Sequence, residues 1–278
     1  MPQDYSDHLA FWFHTVTNVF GIFFNSLLTY LIITNTPKPL KPYGVLLLNV
    51  SLSDLLACMF AYMSMTRIIT TGEAVCFFYH GPCTWFGGSF CFYCYAFMLH
   101  WFAHNLFILF MSFIYRYYVL KYPAPSRTKL WIICILVYLP SFSQFSSFCF
   151  SLGPESKARE NLRKYHPQYD LDAYVITGNE KLLEPLTLYT TLYMCAPVAP
   201  MYLMMLYCRH KVYTSLNTVQ SHLSENTKKT HRQLMKLVLI RCFHLDRVSS
   251  LMRRRVRDKS SVTYFTDNGS HLSETIPA

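Results

Sequence analysis

Five stretches of this chain are long enough to cross a bilayer and almost free of formal charge. Residues 8–37, 74–115, 130–154 and 185–208 contain no Asp, Glu, Lys or Arg, and residues 42–66 contain only Asp54. Crossing the hydrocarbon core as a helix takes about 20 apolar residues. Inside lipid every backbone polar group must be satisfied within the protein, which favours helices, and the alternating pattern of a membrane β-barrel is absent. One wholly apolar helix could be the buried core of a soluble protein, but five could not. Composition agrees, with 14% charged residues against roughly 25% in an ordinary soluble domain. The first window is not a cleavable signal peptide, because Asp4 and Asp7 flank it and the apolar run is too long.

The expected fold is therefore all-α, a polytopic transmembrane helix bundle. Five full spans are placed near 10–34, 43–66, 86–115, 130–152 and 186–207, with residues 1–9 as a short N-terminus and 10–208 as the bundle. Pro37, Pro39 and Pro42 separate the first two spans, Pro123 and Pro125 separate the third from the fourth, and Pro197 and Pro200 fall inside the fifth. Segment 209–245 holds an apolar run broken by Lys236 and Arg241, so it reads as a sixth helix begun and not completed. Residues 246–278 read as a basic and polar disordered tail.

Loop charges give an orientation. The loop after the first span carries Lys38 and Lys41, and the loop after the third carries Arg116, Lys121, Arg127 and Lys129, without an acid in either. The segment after the fifth span is also strongly basic. The N-terminus and the other two loops are acidic or balanced. The positive-inside rule places the N-terminus outside and the C-terminal region in the cytoplasm. The formal net charge of +10 is then a topology signal and an attraction to anionic lipid, not a nucleic-acid footprint.

Few residues within the spans could carry chemistry. Asp54 is the one acid in the second window, where an ionisable group is by default a functional hypothesis; Asn25 and Asn49 are its candidate partners. His100 and His104 share a helix face and form the one H-x3-H pair, which reads as a polar contact between helices rather than a metal box. Arg116, between Tyr115 and Tyr117, either snorkels to headgroups or reports bundle packing to a cytoplasmic partner. Most of the ten cysteines lie inside the apolar windows and read as small packing residues. No cofactor, metal site or catalytic constellation is expected, and the chain is not read as an enzyme. A transporter or channel subunit is the alternative, weakened by the lack of an internal repeat. A membrane oxidase would need further His boxes.

A set of stretches resembles the nematode serpentine receptors, most closely class delta, the Srd group. It comprises Gly21-Ile-Phe-Phe-Asn25, Thr36-Pro-Lys-Pro39 through Asn49, Ser53-Asp54-Leu-Leu, Gly81-Pro-Cys83, His100 through Leu120, and Glu225 through Leu234. The resemblance implies a seven-helix, G-protein-coupled-receptor-like fold, a chemosensory role with an unknown small-molecule ligand, a heterotrimeric G-protein partner, and a plasma or ciliary membrane location. It implies that Asp54 is the second-helix acid of such receptors and Arg116 the third-helix arginine. It also implies a disulfide at Cys83; the outer segment 153–185 has no Cys, leaving Cys149 or Cys76 as partner. The likeness stops near Ile240, so the chain reads as a shortened or divergent form, signalling-incompetent if two helices are missing.

Overall fold

The computed structural model describes residues 3–37, 40–71, 74–167, 171, 174–179, 181 and 183–218. The expected remnant of a sixth helix and the basic tail lie outside the described residues, save for 209–218. Two compact units divide the chain, Met1–Val212 and Tyr213–Ala278; of the second, only the end of a helix is described.

The first unit is a helical bundle with a small sheet at one end. The elements of the chain run α1 (Gln3–Asn35), α2 (Lys41–Ser64), β1 (Thr66–Thr71), β2 (Ala74–Tyr79), a 3-10 turn (Pro82–Phe86), α3 (Gly88–Tyr118), α4 (Arg127–Cys149), α5 (Glu155–Tyr165), β3 (Val175–Asn179), α6 (Pro185–Cys195) and α7 (Val198–Thr218). Five segments are long and apolar enough to cross a membrane: Phe11–Asn35, Lys41–Ser64, Gly88–Tyr118, Arg127–Cys149 and Pro185–Thr214. They agree with the five expected spans to within a few residues, apart from a longer fifth.

That fifth span is two helices. Pro197 has no N–H to continue the ladder, so α6 ends at Cys195. Met201 then donates to the Pro197 carbonyl at 3.0 Å as α7 begins. Pro140 sits inside α4, where the Ser143 hydroxyl donates to its carbonyl at 2.8 Å. Left-handed Met65, with φ 39°, ends α2 and turns the chain into β1.

Helix α3 is the axis of the bundle. Phe92, Ala96, His100, His104, Ile108, Ser112 and Arg116 follow one another at i+4, and all seven are buried. A row at i+4 slides about 40° round a helix at each step. Burial along the whole row therefore requires neighbours on several sides. α3 packs against α2, α4 and the sheet; α2 also packs on α1 and α4, and α4 on α6. The apolar outer faces of α1 and α4, such as Phe20, Phe23, Phe24, Ile135 and Leu136, are exposed from the protein, which suits lipid contact.

The sequence reading contained no strands, yet β1, β2 and β3 form an antiparallel sheet in that order. β3 brings the connection between α4 and α6 onto the hairpin between α2 and α3, so these two loops lie at the same end of the bundle. Register pairs Phe77 with Ile68 and Thr177. Alternation along β2 gives two apolar faces. Phe77 and Tyr79 turn toward Phe92, Tyr95 and Phe148 of the helices. Cys76 and Phe78 turn toward Ala158 and Leu162 of α5. Gly178 permits this second layer: a Cβ there would come within 2.7 Å of the Val75 carbonyl oxygen.

The expected disulfide is corrected by this alternation. Cys83 pairs with Cys91, eight residues on, rather than with Cys76 or Cys149, which are both free. Cys76 cannot serve because it faces α5 on the far side of the sheet, 3.7 Å from the Ala158 carbonyl. Its burial also pushes the thiol pKa up, opposed by the Thr71 hydroxyl, which suppresses thiolate exchange. Gly87, at φ 98°, supplies the left-handed turn that folds the 3-10 segment back on the first turn of α3. That turn brings Cys83 to Cys91 before α4 is reached.

Candidate functional site

Three layers of polar side chains run down the bundle. The layer toward the sheet end joins α3, α4 and α6. His100 Nδ1 lies 2.9 Å from the Ser141 carbonyl oxygen and donates to it. The Ser141 hydroxyl is 3.5 Å from the Tyr193 hydroxyl, and the Ser143 and Tyr189 hydroxyls are 2.9 Å apart. Gln144, one turn from Ser141, is fully buried. Neither atom of its amide has a hydrogen-bond partner among the described residues; the same is true of His100 Nε2, Trp101 Nε1 and Thr190 Oγ1. A buried polar group left unsatisfied costs about 1–3 kcal/mol. These donors and acceptors stand on α3, α4 and α6, with α4 packed on both of the others, and the rings of Tyr138 and Phe145 lie against His100. That combination suits a small organic guest with at least one polar group.

The middle layer joins α1, α2 and α3. His104 Nε2 lies 3.0 Å from Asn49 Oδ1. Asn105 donates its amide N–H to the Asp54 carboxylate. Asn25, expected beside Asp54, donates to the Gly21 carbonyl at 2.8 Å, and its own carbonyl accepts from Ser51 at 3.0 Å. Asp54 thus accepts a hydrogen bond from α3, from a residue the sequence reading did not single out. The His100 and His104 rings are near-parallel at 6.3 Å, and Tyr138 stands edge-on to both. No group of three or more His, Cys, Asp and Glu side chains is arranged to hold a metal among the described residues.

The third layer lies at the opposite end from the sheet. Arg116 is 2% exposed, so it does not snorkel. Its guanidinium donates to the Tyr43 hydroxyl, which is 3.2 Å from the Ser112 hydroxyl. The guanidinium carbon also lies 5.1 Å from the centre of the Tyr43 ring and 5.8 Å from that of Phe113. Arg116 thus clasps the start of α2 to the end of α3.

The structure therefore joins His104 to Asn49 and adds Asn105 as a partner of Asp54, while His100 and Arg116 serve separate layers. The sequence reading missed Gln144, Asn105 and Tyr43. The rule that picked out Asp54 also applies to the lone amides Gln144 and Asn105 in charge-free windows. Tyr43 carries no comparable signal.

The family model described as serpentine type 7TM GPCR chemoreceptor Srd matches residues 10–244. Serpentine receptor class delta-3 of Caenorhabditis elegans is 34% identical over 241 residues, covering 84% of this chain and 70% of that relative. Class delta-1 of the same organism is 34% identical over 227 residues, covering 80% of this chain and 61% of the relative. Class delta-18 is 32% identical over 227 residues, covering 80% and 67%. The chain thus spans about three fifths to seven tenths of the length of these relatives.

Proposed function

Because this chain belongs to the Srd family of serpentine seven-transmembrane chemoreceptors, we propose that it is a chemosensory receptor whose small organic ligand is held by the polar layer between α3, α4 and α6. One observation carries the reading: the amide of Gln144 is fully buried in the bundle with neither atom satisfied among the described residues. An amide on α4, a hydroxyl on α6 and an imidazole on α3 suit an alcohol, ketone or carboxylic acid of small size. The protein acts by binding and not by catalysis.

Both termini of the bundle follow from the charge pattern. The sheet end, with balanced loops and the Cys83–Cys91 disulfide, faces outside, where disulfides persist. The Arg116 end faces the cytoplasm and a heterotrimeric G protein, in the plasma or ciliary membrane. Release of Arg116 from Tyr43 is the switch, because that contact couples the start of α2 to the end of α3. An epitope tag after Met1 is expected to be stained on intact cells, and a tag after Ala278 only after permeabilisation. The reverse pattern would sink this orientation.

The ligand reading is tested on purified chain with a panel of small alcohols, ketones and carboxylic acids. At least one compound is expected to raise the thermal midpoint of the native protein. Gln144→Leu is expected to remove that increase while leaving the unliganded midpoint unchanged or higher, since it replaces an unsatisfied amide by an apolar group. Binding that survives Gln144→Leu undiminished would rule out this site.

A further inference from the structure

At the Arg116 end of the bundle a cleft of about 250 Å³ opens between α1, α2 and α4. Its lining is set by helix periodicity. Lys41, Gly44, Val45 and Leu48 come from one face of α2, Arg127 and Trp131 from successive turns of α4, Ile32 and Ile33 from the last turn of α1, and Thr36 from just beyond its end. Lys41 and Arg127 are the first residues of their helices, so both cations stand at the mouth. Leu48 lies about 10 Å deeper along α2. Gly44 keeps the cleft narrow, because a Cβ there would lie 3.3 Å from Thr36 Cγ2.

We propose that this cleft binds the phosphorylated headgroup of an anionic phospholipid from the adjoining leaflet. Three features argue for a lipid. First, charge: the lining has two cations and no acid, and the connecting stretches 36–41 and 119–129 contain no Asp or Glu. Neither cation makes a salt bridge among the described residues. Second, position: the cations sit where α1 ends and α2 and α4 begin, at a membrane–water boundary, and basic pockets between helices at that level take anionic headgroups. Third, polarity: the wall running inward from the cations is Ile32, Ile33, Val45, Leu48 and Trp131, with Ile33 68% and Trp131 40% exposed. A free anion would gain nothing from that wall, whereas an acyl chain would lie along it. A volume of 250 Å³ corresponds to about eight waters, enough for a phosphate and the glycerol attached to it. The proposal rests on the membrane-spanning bundle alone and does not depend on the chemosensory ligand.

The test is native mass spectrometry of the full chain, delipidated in detergent and then offered phosphatidylcholine, phosphatidylserine or a phosphatidylinositol phosphate. Retention of the anionic lipids over phosphatidylcholine is expected. A cation in contact with the headgroup is expected to contribute about fivefold, so Lys41→Gln with Arg127→Gln should weaken retention on the order of 25-fold. Lys129→Gln, an exposed cation of α4 outside the cleft, should leave it unchanged. Equal loss with Lys129→Gln, or no loss in the double variant, overturns the proposal. Soluble inositol phosphate is the second arm: retention equal to that of the lipid would make this a free-anion site and overturn the lipid assignment. Should the double variant fail to fold, a photoactivatable phosphatidylinositol phosphate on the native chain decides instead. Crosslinks within 32–48 and 127–131 support the cleft, and crosslinks confined elsewhere refute it.

Discussion

Phe148→Ala is expected to destabilise the bundle by about 3–5 kcal/mol, the usual cost of removing a buried phenyl ring. Phe148 sits near the end of α4 and stacks on Phe92 of α3 at 4.8 Å. It meets Phe77 of the sheet edge-on at 6.2 Å and Tyr95 at 5.9 Å. One side chain therefore joins the fourth span, the third span and the strand that covers them. A cavity there loses contacts to all three, and the surrounding helices are pinned too firmly to close it. The comparison is Phe142, on the same helix but 46% exposed. Its removal should cost less than about 1 kcal/mol, because lipid replaces the lost contacts. Thermal unfolding of both variants in the same detergent measures the difference. Equal losses would mean that the aromatic cluster does not hold α4.

Asn105→Leu is expected to cost about 1.5–3 kcal/mol, the range for a hydrogen bond to a charged group. The amide of Asn105 donates to Asp54 across the α2–α3 interface. In the bundle interior water does not readily replace that donor, and leucine cannot. Asp54→Leu should cost less in the Asn105→Leu background than in the native chain, since the bond between the two is already gone there. A double-mutant cycle on Asp54 and Asn105 isolates the pair. Strictly additive losses would show that Asp54 depends on other groups and that Asn105 is incidental.

The same bond shows where a sequence reading reaches its limit. Asp54 is conspicuous because an acid in an apolar window is costly wherever it lies. Asn25 and Asn49 of the first two spans are its candidate partners by sequence, and the α3 amide Asn105 also meets it. Which of several polar residues meets it depends on the rotation of α3 against α2, and no local rule specifies that angle. The neighbouring pair is subtler: His104 and Asn49 were both singled out, yet only the packed helices show that they meet. The strands were missed for a different reason. Residues 74–79 read Ala-Val-Cys-Phe-Phe-Tyr, apolar on both faces, because α3 covers one side and α5 the other. A strand buried on both faces loses its alternation and looks like the start of a membrane span.

Arg116 marks a similar limit. Its place at the end of the third span was plain, but snorkelling and internal packing predict the same sequence. Burial against Tyr43 and Phe113 decides between them.

The charge-free windows by themselves determined five segments fit to cross a membrane between residues 10 and 208. That follows because hydrocarbon imposes one requirement, about 20 uncharged residues per helix, and length and composition meet it without reference to any neighbour. The family, too, was carried by short linear motifs. Tertiary structure alone decided how those windows join: that a sheet covers one end, that Cys83 closes on Cys91, that Gln144 is buried with its amide unpartnered among the described residues, and that Lys41 and Arg127 share a cleft. Each depends on the angle and separation of elements distant in the sequence, and lipid outside the bundle is equally compatible with many such arrangements. Only the mutual packing of the helices selects one.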